Sequence, residues 1–316
     1  MIPLAQKLKG FFYLEQKAKH MKNHSTYRRD FLIKSGALLG AGLVANPFSL
    51  FAEKKTWTVG EIMDTFISQV PNAPFEQTVD TIKVGSRDTV VTGVVTTMFT
   101  TMEIIQKAIE LKANLIIPHE PTFFSGQDET DYLQEDPVFR AKYDLMEKNG
   151  ITLWRNHDYV HRMTDDGVRV GVVEDLDWEE YYTPGSRILT IPKTDLRGLI
   201  NHIKTKLGVP AMRYVGDLNQ PCSKVLLLPG AVGGRLQITQ IMEQRPDVLV
   251  CGESNEWETP EYVRAANEIG MKLSMIEIGH SASEEGGSEF VKNWLNKHMP
   301  GLPVFHIPSG NSLQVF

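Results

Sequence analysis

Beyond residue 55 the chain alternates between two hydrophobic rhythms. Short aliphatic or β-branched runs read as buried strands over Thr89–Thr96, Asn114–Pro118, Lys224–Leu228, Asp247–Cys251 and Lys272–Ile278. Between them, apolar residues recur three or four apart. Met98, Met102, Ile105 and Ile109 form one such stripe, and Arg235–Gln244 and Glu261–Ile269 read as two further helices. Leu196, Leu199, Ile203 and Leu207 mark a surface helix over Asp195–Leu207, and Phe290–His298 reads as a closing amphipathic helix. This alternation predicts an α/β fold with mixed or parallel sheets.

Laying the chain on itself with an offset of 133 residues places Val94-Val95 on Leu227-Leu228 and Ile105 on Ile238. The same offset puts Asn114–Ile117 on Asp247–Val250 and Glu120 on Glu253. After each copy come a helix, a glycine (Gly150, Gly270), a short strand and a histidine (His157, His280). The expectation is one domain over residues 56–316 made of two intertwined repeats, about 56–165 and 221–316, with 166–220 connecting them. Generic β-α-β units also produce such matches, so coincidence stands beside duplication. If the repeat is real, strand ends of both copies can face one cleft, because ligands collect at the carboxyl ends of strands.

Charge changes the picture at the N-terminus. The 316 residues carry a net charge of −6, yet residues 1–52 hold eight basic and two acidic side chains. Residues 53–316 are left with 25 basic against 37 acidic side chains, a net of −12. That acidic body argues against nucleic acid as a partner, since phosphate neutralisation needs clustered Lys and Arg. STYRRDFLIKSGALLGAGLVANPFSLFA resembles a twin-arginine export signal, with Arg28-Arg29 as the recognised pair and Ala52, or less well Ala45, as the cleavage site. Met21 then serves as a plausible start. A membrane anchor or a basic amphipathic helix is the alternative reading. The signal implies a periplasmic or secreted protein with no membrane span after cleavage, and no other segment is long and apolar enough to cross a bilayer.

Two cysteines, Cys222 and Cys251, are too few for a disulfide framework or a thiolate zinc site. Any metal must be held by His and carboxylates. Seven histidines follow residue 52, and four of them, His119, His157, His161 and His280, sit at or just past strand ends. His119-Glu120 ends the run LIIPHEP; NHDYVH supplies His157 and His161 four apart; GHSASE supplies His280 and Glu284, also four apart. A spacing of four puts two side chains on one helical face, or lets a turn join them on one ion. Imidazole with carboxylate suits zinc, iron or manganese.

Each piece alone is ambiguous. A strand-end histidine is often a hydrogen-bonded structural residue. Adjacent His-Glu on an ideal strand points to opposite faces, although Pro121 confines Glu120 to extended backbone where the strand ends. His202, His298 and His306 are expected to be structural or solvated. Glu253, Glu256 and Trp257 read either as a cleft lining or as a solvated loop, and Trp178 with Tyr181-Tyr182 as packing or interface. Gly230–Gly234 follows a strand and opens a helix without the Lys-Ser/Thr of a P-loop. It is either a tight turn or a backbone anion contact.

Taken in order, LIIPHEPTFF, NHDYVH, PGAVGG with DVLVCGE, and GHSASE resemble the Nif-three-like dinuclear-metal proteins, homologues of a type 2 GTP cyclohydrolase. The resemblance runs from about Thr89 to Lys297. It implies a Nif-three-like fold and a toroidal homo-oligomer, a hexamer. It also implies two divalent ions (zinc, iron or manganese) held by His119, Glu120, His161, His280 and Glu284, with Glu284 bridging. Two positions depart from the family pattern. His119-Glu120-Pro121 stands where the family usually has His-His-Pro, and His157-Asp-Tyr-Val-His161 where it has His-Thr-Asn-Leu-Asp. One ligand passes from imidazole to carboxylate and another from carboxylate to imidazole, so the net ligand charge is kept. The expected activity is hydrolysis of a C–N (cyclic amidine or amide) or phosphoester bond in a small molecule by a metal-bridging hydroxide, with Glu120 and His157 moving protons. The rival expectation is a non-catalytic metal-binding or partner-binding oligomer.

Overall fold

The computed structural model describes residues 55–315; the expected export signal lies outside them. A short ribbon opens the fold, β1 (Trp57–Thr58) pairing antiparallel with β3 (Val90–Val91). Thr58 and Glu61 cap each other reciprocally and start α1 (Val59–Ile67).

Two five-stranded sheets carry the core. The first runs β12 (Val304–His306), β4 (Val94–Thr97), β5 (Leu115–Pro118), β6 (Thr152–Trp154) and β2 (Ile82–Val84). All of its strands are parallel except the edge strand β2. The second runs β7 (Ile188–Asp195), β9 (Pro221–Leu228), β10 (Val248–Cys251), β11 (Ser274–Glu277) and β8 (Arg213–Val215), with three parallel strands between antiparallel edges. Every residue of β4, β5, β10 and β11 is buried, as parallel strands covered on both faces require.

Each sheet is wound by the same unit. In the first, β4, α2 (Met102–Glu110), β5, α3 (Pro137–Lys148) and β6 follow one another. In the second, β9, α7 (Gly234–Gln244), β10, α8 (Thr259–Glu268) and β11 do the same. In both, a strand earlier in the chain adds antiparallel to the third parallel strand, β2 on β6 and β8 on β11. The chain ends cross over: β12, last in sequence, returns to the first sheet. Segment 166–220, read from sequence as a connection, contributes α5 (Gly167–Asp175), β7, α6 (Leu196–Leu207) and β8.

The closing helix differs most from expectation. α9 spans His280–His298 and so begins ten residues before Phe290. Gly286-Gly287 looks like a helix breaker, since each glycine costs about 1 kcal/mol relative to Ala in a helix. Here α5 crosses α9 at that point, and a Cβ added to Gly286 would stand 2.6 Å from the carbonyl carbon of Gly171. Backbone-to-backbone packing supplies what helix propensity lacks. Val168 of α5 packs with Val94, Leu115, Val291 and Trp294 over the first sheet, while Val172, Val173 and Leu176 pack with Leu227, Val250 and Ile276 over the second. The α5–α9 pair therefore ties the two cores together. No helix among the described residues is long and apolar enough to cross a membrane.

Candidate metal centre

Three strand ends deliver the polar cluster. β5 stops at Pro118, and the next two amides, His119 N and Glu120 N, donate to Thr97 O and Met98 O at 3.0 and 2.9 Å. Successive amides bonding one neighbour break the pleat, so adjacent side chains that a strand would separate enter one cleft. Both are buried. After β6, the short helix α4 (Asp158–His161) is built on Asp80, a buried carboxylate that accepts the N–H groups of His157, Asp158 and Tyr159 at 2.8, 3.0 and 2.7 Å. Burial pushes the Asp80 carboxyl upward against those three donors. The turn sets the His157 and His161 rings 4.8 Å apart.

After β11, Gly279 turns the chain with φ +104° and α9 begins at His280, placing Glu284 one turn on. The Glu284 carboxylate lies against Gly230, whose φ is +69°; any Cβ there would fall inside the van der Waals shell of Glu284 Oε1. The glycine cluster is thus a tight turn that makes room for a carboxylate. Its helix start is filled by protein as well, since Gly234 N donates to Glu258 Oε2 at 3.1 Å.

All six candidate residues converge. His280 Nε2 lies 3.0 Å from Glu284 Oε2 and 3.2 Å from Glu120 Oε1. His119 Nε2 is 3.4 Å from Glu284 Oε2, His157 Nε2 is 3.7 Å from Glu120 Oε1, and His161 Nε2 is 3.9 Å from Glu284 Oε1. Glu253 joins at the rim, its Oε2 3.4 Å from His280 Nδ1. Two donor groups, His119/His157/His161 and His119/Glu120/Glu284, each have ligand atoms within 4.8 Å of one another.

Charge inside the cluster is strongly coupled. Burial disfavours an ionised Glu120, yet hydrogen bonding to His280 and the charges of His119 and His157 hold its pKa at about 2. Glu284 is likewise held far below the usual carboxylate range, against burial, by His119 and His280. Burial works against protonated His280, but Glu120 and Glu284 raise it to about 10. His157 goes the other way, to about 4, through burial and the neighbouring His119 and His161. His119 Nε2 is buried without a hydrogen-bond partner, because its approach to Glu284 lacks bonding geometry. A divalent cation fits this donor set: it satisfies the orphaned nitrogen and replaces the protons that now separate two buried carboxylates.

A model of the Duf34/NIF3 (NGG1p interacting factor 3) family matches residues 58–311. The chain belongs to this family. It is 27% identical over 213 residues to a GTP cyclohydrolase 1 type 2 homolog of Clostridium perfringens, covering 64% of this chain and 77% of that protein. A Chlamydia trachomatis protein of the same name is 23% identical over 222 residues, 68% of this chain and 83% of its own length. Among solved structures, a hypothetical protein of Staphylococcus aureus superposes with a TM-score of 0.66 at 19% identity, covering 83% of this chain and 100% of that one. A Bacillus cereus protein related to NIF3 gives 0.65 at 17% identity, covering 83% and 99%.

Glu120 and His161, the two positions that the sequence resemblance singles out as exchanged, both face the cluster. Glu120 is oriented by buried Arg155, which donates to Glu120 Oε2 at 3.3 Å and so leaves Oε1 for the cluster. Arg155 also donates to His119 O, Gly126 O and Asp128 Oδ2 at 3.2, 2.7 and 3.3 Å, tying the loop after β5 to the site. Sequence reading missed Asp80, Arg155 and Asp166. The one local signal was Asp166, five residues past His161 and first in line to cap α5. Beyond Glu253, the second-repeat loop turns away: Glu256 pairs with Arg213 at 2.9 Å and Trp257 is 75% exposed. His202 bonds Leu176 O, His298 bonds Trp294 O and His306 pairs with Glu285, all structural contacts. Trp178 is core, with Tyr181 and Tyr182 packed on it.

Proposed function

We propose that this NIF3-family chain is an exported metal-dependent hydrolase whose centre takes two divalent ions, with zinc, iron and manganese as candidates. The convergence of four imidazoles and two buried carboxylates around an unpartnered His119 Nε2 carries the reading. Ions held there supply Lewis acidity and a nucleophile at neutral pH. His119, Glu120, His161, His280 and Glu284 are the proposed ligands, and Glu284 offers one oxygen to each side of the cluster. Arg155 holds Glu120 Oε2, which leaves Oε1 toward the cluster as either a metal ligand or a proton acceptor. Glu253, half exposed at the rim, is placed to pass a proton from His280 Nδ1 to solvent. His157 has two available roles, proton carrier or ligand.

The names of the relatives support a nucleotide-like substrate, with a cyclic amidine, amide or phosphoester bond cleaved. The Arg28-Arg29 segment supports transport by the twin-arginine route to the periplasm or beyond, away from the cytoplasmic GTP pool. An apolar groove of Phe99, Met102, Pro121, Phe124 and Val138 begins one residue past Glu120 and suits the flat part of such a molecule. A homo-oligomer, hexameric as the family resemblance implies, is part of the same proposal.

The test is metal analysis of untagged protein beside a His280→Ala/Glu284→Ala variant, followed by a panel of phosphoester, amide and cyclic-amide substrates. Two ions per chain, lost in the variant together with turnover, are expected. Turnover surviving without the ligands refutes the mechanism, and two ions with no turnover leave a metal-binding protein instead.

A further inference from the structure

The family resemblance treats the two ion positions through one set of five ligands. The side chains here divide differently. His119 Nδ1 faces Asn156 O at 3.4 Å, His157 Nδ1 faces Asp158 Oδ1 at 3.1 Å, and His161 Nδ1 faces Asp166 Oδ1 at 3.2 Å. A carbonyl or carboxylate oxygen only accepts, so Nδ1 is the donating nitrogen of each ring and Nε2 is the one turned toward the cluster. One ring nitrogen from each of the three histidines lies within 4.8 Å of the others, and the Nε2 atoms are the ones that approach Glu120 and Glu284. None of them makes a hydrogen bond, their carboxylate approaches being 3.4, 3.7 and 3.9 Å without bonding geometry. Three ring nitrogens that converge without hydrogen-bond partners leave a place that a cation fits. An oxygen or nitrogen acceptor behind each metal-facing imidazole is also the arrangement that orients a ligand and raises its basicity.

The other side is of opposite character. His280 meets carboxylates at both nitrogens, Glu253 on Nδ1 and Glu120 with Glu284 on Nε2. Around its Nε2 stand two carboxylate oxygens, one of them aimed by Arg155.

We propose that the centre is asymmetric. His119, His157 and His161 form an all-imidazole seat that Glu284 Oε1 approaches on the His161 side. Glu120, His280 and Glu284 Oε2 form a carboxylate-rich seat, with His119, whose Nε2 is 3.4 Å from Glu284 Oε2, at the boundary between them. The inference rests on the reading that the cluster holds two ions, and it makes His157 a ligand in a position where the five-ligand set has none. Among zinc, iron(II) and manganese, imidazole donors favour zinc, while carboxylate oxygen accepts manganese or iron(II) more readily. The exchange of Glu120 and His161 relative to the family pattern thereby does more than conserve charge: it concentrates nitrogen on one side and oxygen on the other.

Cobalt(II) titration of the metal-free, otherwise intact protein tests this, because four-coordinate nitrogen-rich cobalt absorbs visible light far more strongly than higher-coordinate oxygen-rich cobalt. The expected titration has two phases, an intense band for the first equivalent and a weak one for the second. His157→Ala should abolish the intense phase and keep the weak one, and Glu120→Gln should do the reverse. Asp158→Asn, which keeps the imidazole and weakens its support, should lower affinity in the first phase by about 10–100-fold. Two equal bands in the wild type, or an unchanged intense band in His157→Ala, overturn the asymmetry while leaving a two-ion centre standing. No cobalt bound by the wild type sinks the underlying metal reading as well. Circular dichroism of each variant separates lost ligation from lost fold.

Discussion

Single residues set the electrostatics of the cluster, and two of them make measurable predictions. Arg155 is 3% exposed and neutralises Glu120 and Asp128 together. Arg155→Met takes one partner from each of two buried carboxylates, leaving Asp128 with Lys83 at 3.6 Å and Glu120 with His280 at 3.2 Å, a change that costs about 3 kcal/mol, the low end for breaking a buried pair. Urea unfolding should show a loss of that size, and a loss below about 1 kcal/mol would remove Arg155 from the site's framework. His280 governs the pH response. Its pKa is raised from 6.5 to about 10, so its contribution is complete below pH 6.5 and is lost as pH climbs toward 10. Glu120 is depressed from 4.5 to about 2, so its contribution is complete above pH 4.5 and is lost on acidification toward pH 2. The pair is therefore strongest between pH 4.5 and 6.5. Metal-free protein should melt progressively lower from pH 6.5 to 10, and a bound divalent ion, replacing the His280 proton, should flatten that decline. Equal slopes with and without ion would contradict this account of the cluster.

At the level of elements, the site depends on where α9 begins and on what holds it there. His280 and Glu284 occupy its first turns, and six residues on from His280 the helix passes backbone-to-backbone over Gly171 of α5. Gly171→Ala puts a methyl group into the Gly286–Gly287 backbone, an overpacking that costs about 1–3 kcal/mol. The expected result is a lower thermal midpoint together with weaker metal binding, since displacing α9 moves both ligands. A variant that loses stability and keeps full metal affinity would show that the ligand turn is positioned from β11 alone. The same crossing explains why the helix was not read in full. Gly286-Gly287 carries a breaker's local signature, and only contact with a segment more than a hundred residues away converts it into a packing surface. In contrast, α6 was legible from Asp195 to Leu207, because its cap and apolar stripe are local: Asp195 accepts from Gly198 N, and Leu196, Leu199 and Ile203 are buried.

For the whole molecule, the two sheets share one fate because α5 and α9 contribute to both cores. Cooperative unfolding follows. Native-state hydrogen exchange should show the buried amides of β5 and β10 opening with the same free energy and the same denaturant dependence. Protection of one sheet persisting after the other is lost would mean that the halves fold separately. The cluster itself needs both: His119, Glu120, His157 and His161 come from the first sheet's strand ends, and His280, Glu284 and Glu253 from the second's. Matching strand ends 133 residues apart pointed to this division, with Glu120 and Glu253 both reaching His280.

The sequence by itself determined the α/β alternation, the strand cores and the strand-end placement of the His and Glu residues. Those features follow from the hydrophobic period and from short spacings, which act within a few residues. Tertiary structure alone decided which imidazoles share a seat and what stands behind each one. Asp80 meets His157 across 77 residues of chain and Arg155 meets Glu120 across 35, contacts with no local pattern to announce them. It also decided that Gly230 serves Glu284, because closeness of backbone to a distant carboxylate is a property of packing and leaves no periodic trace.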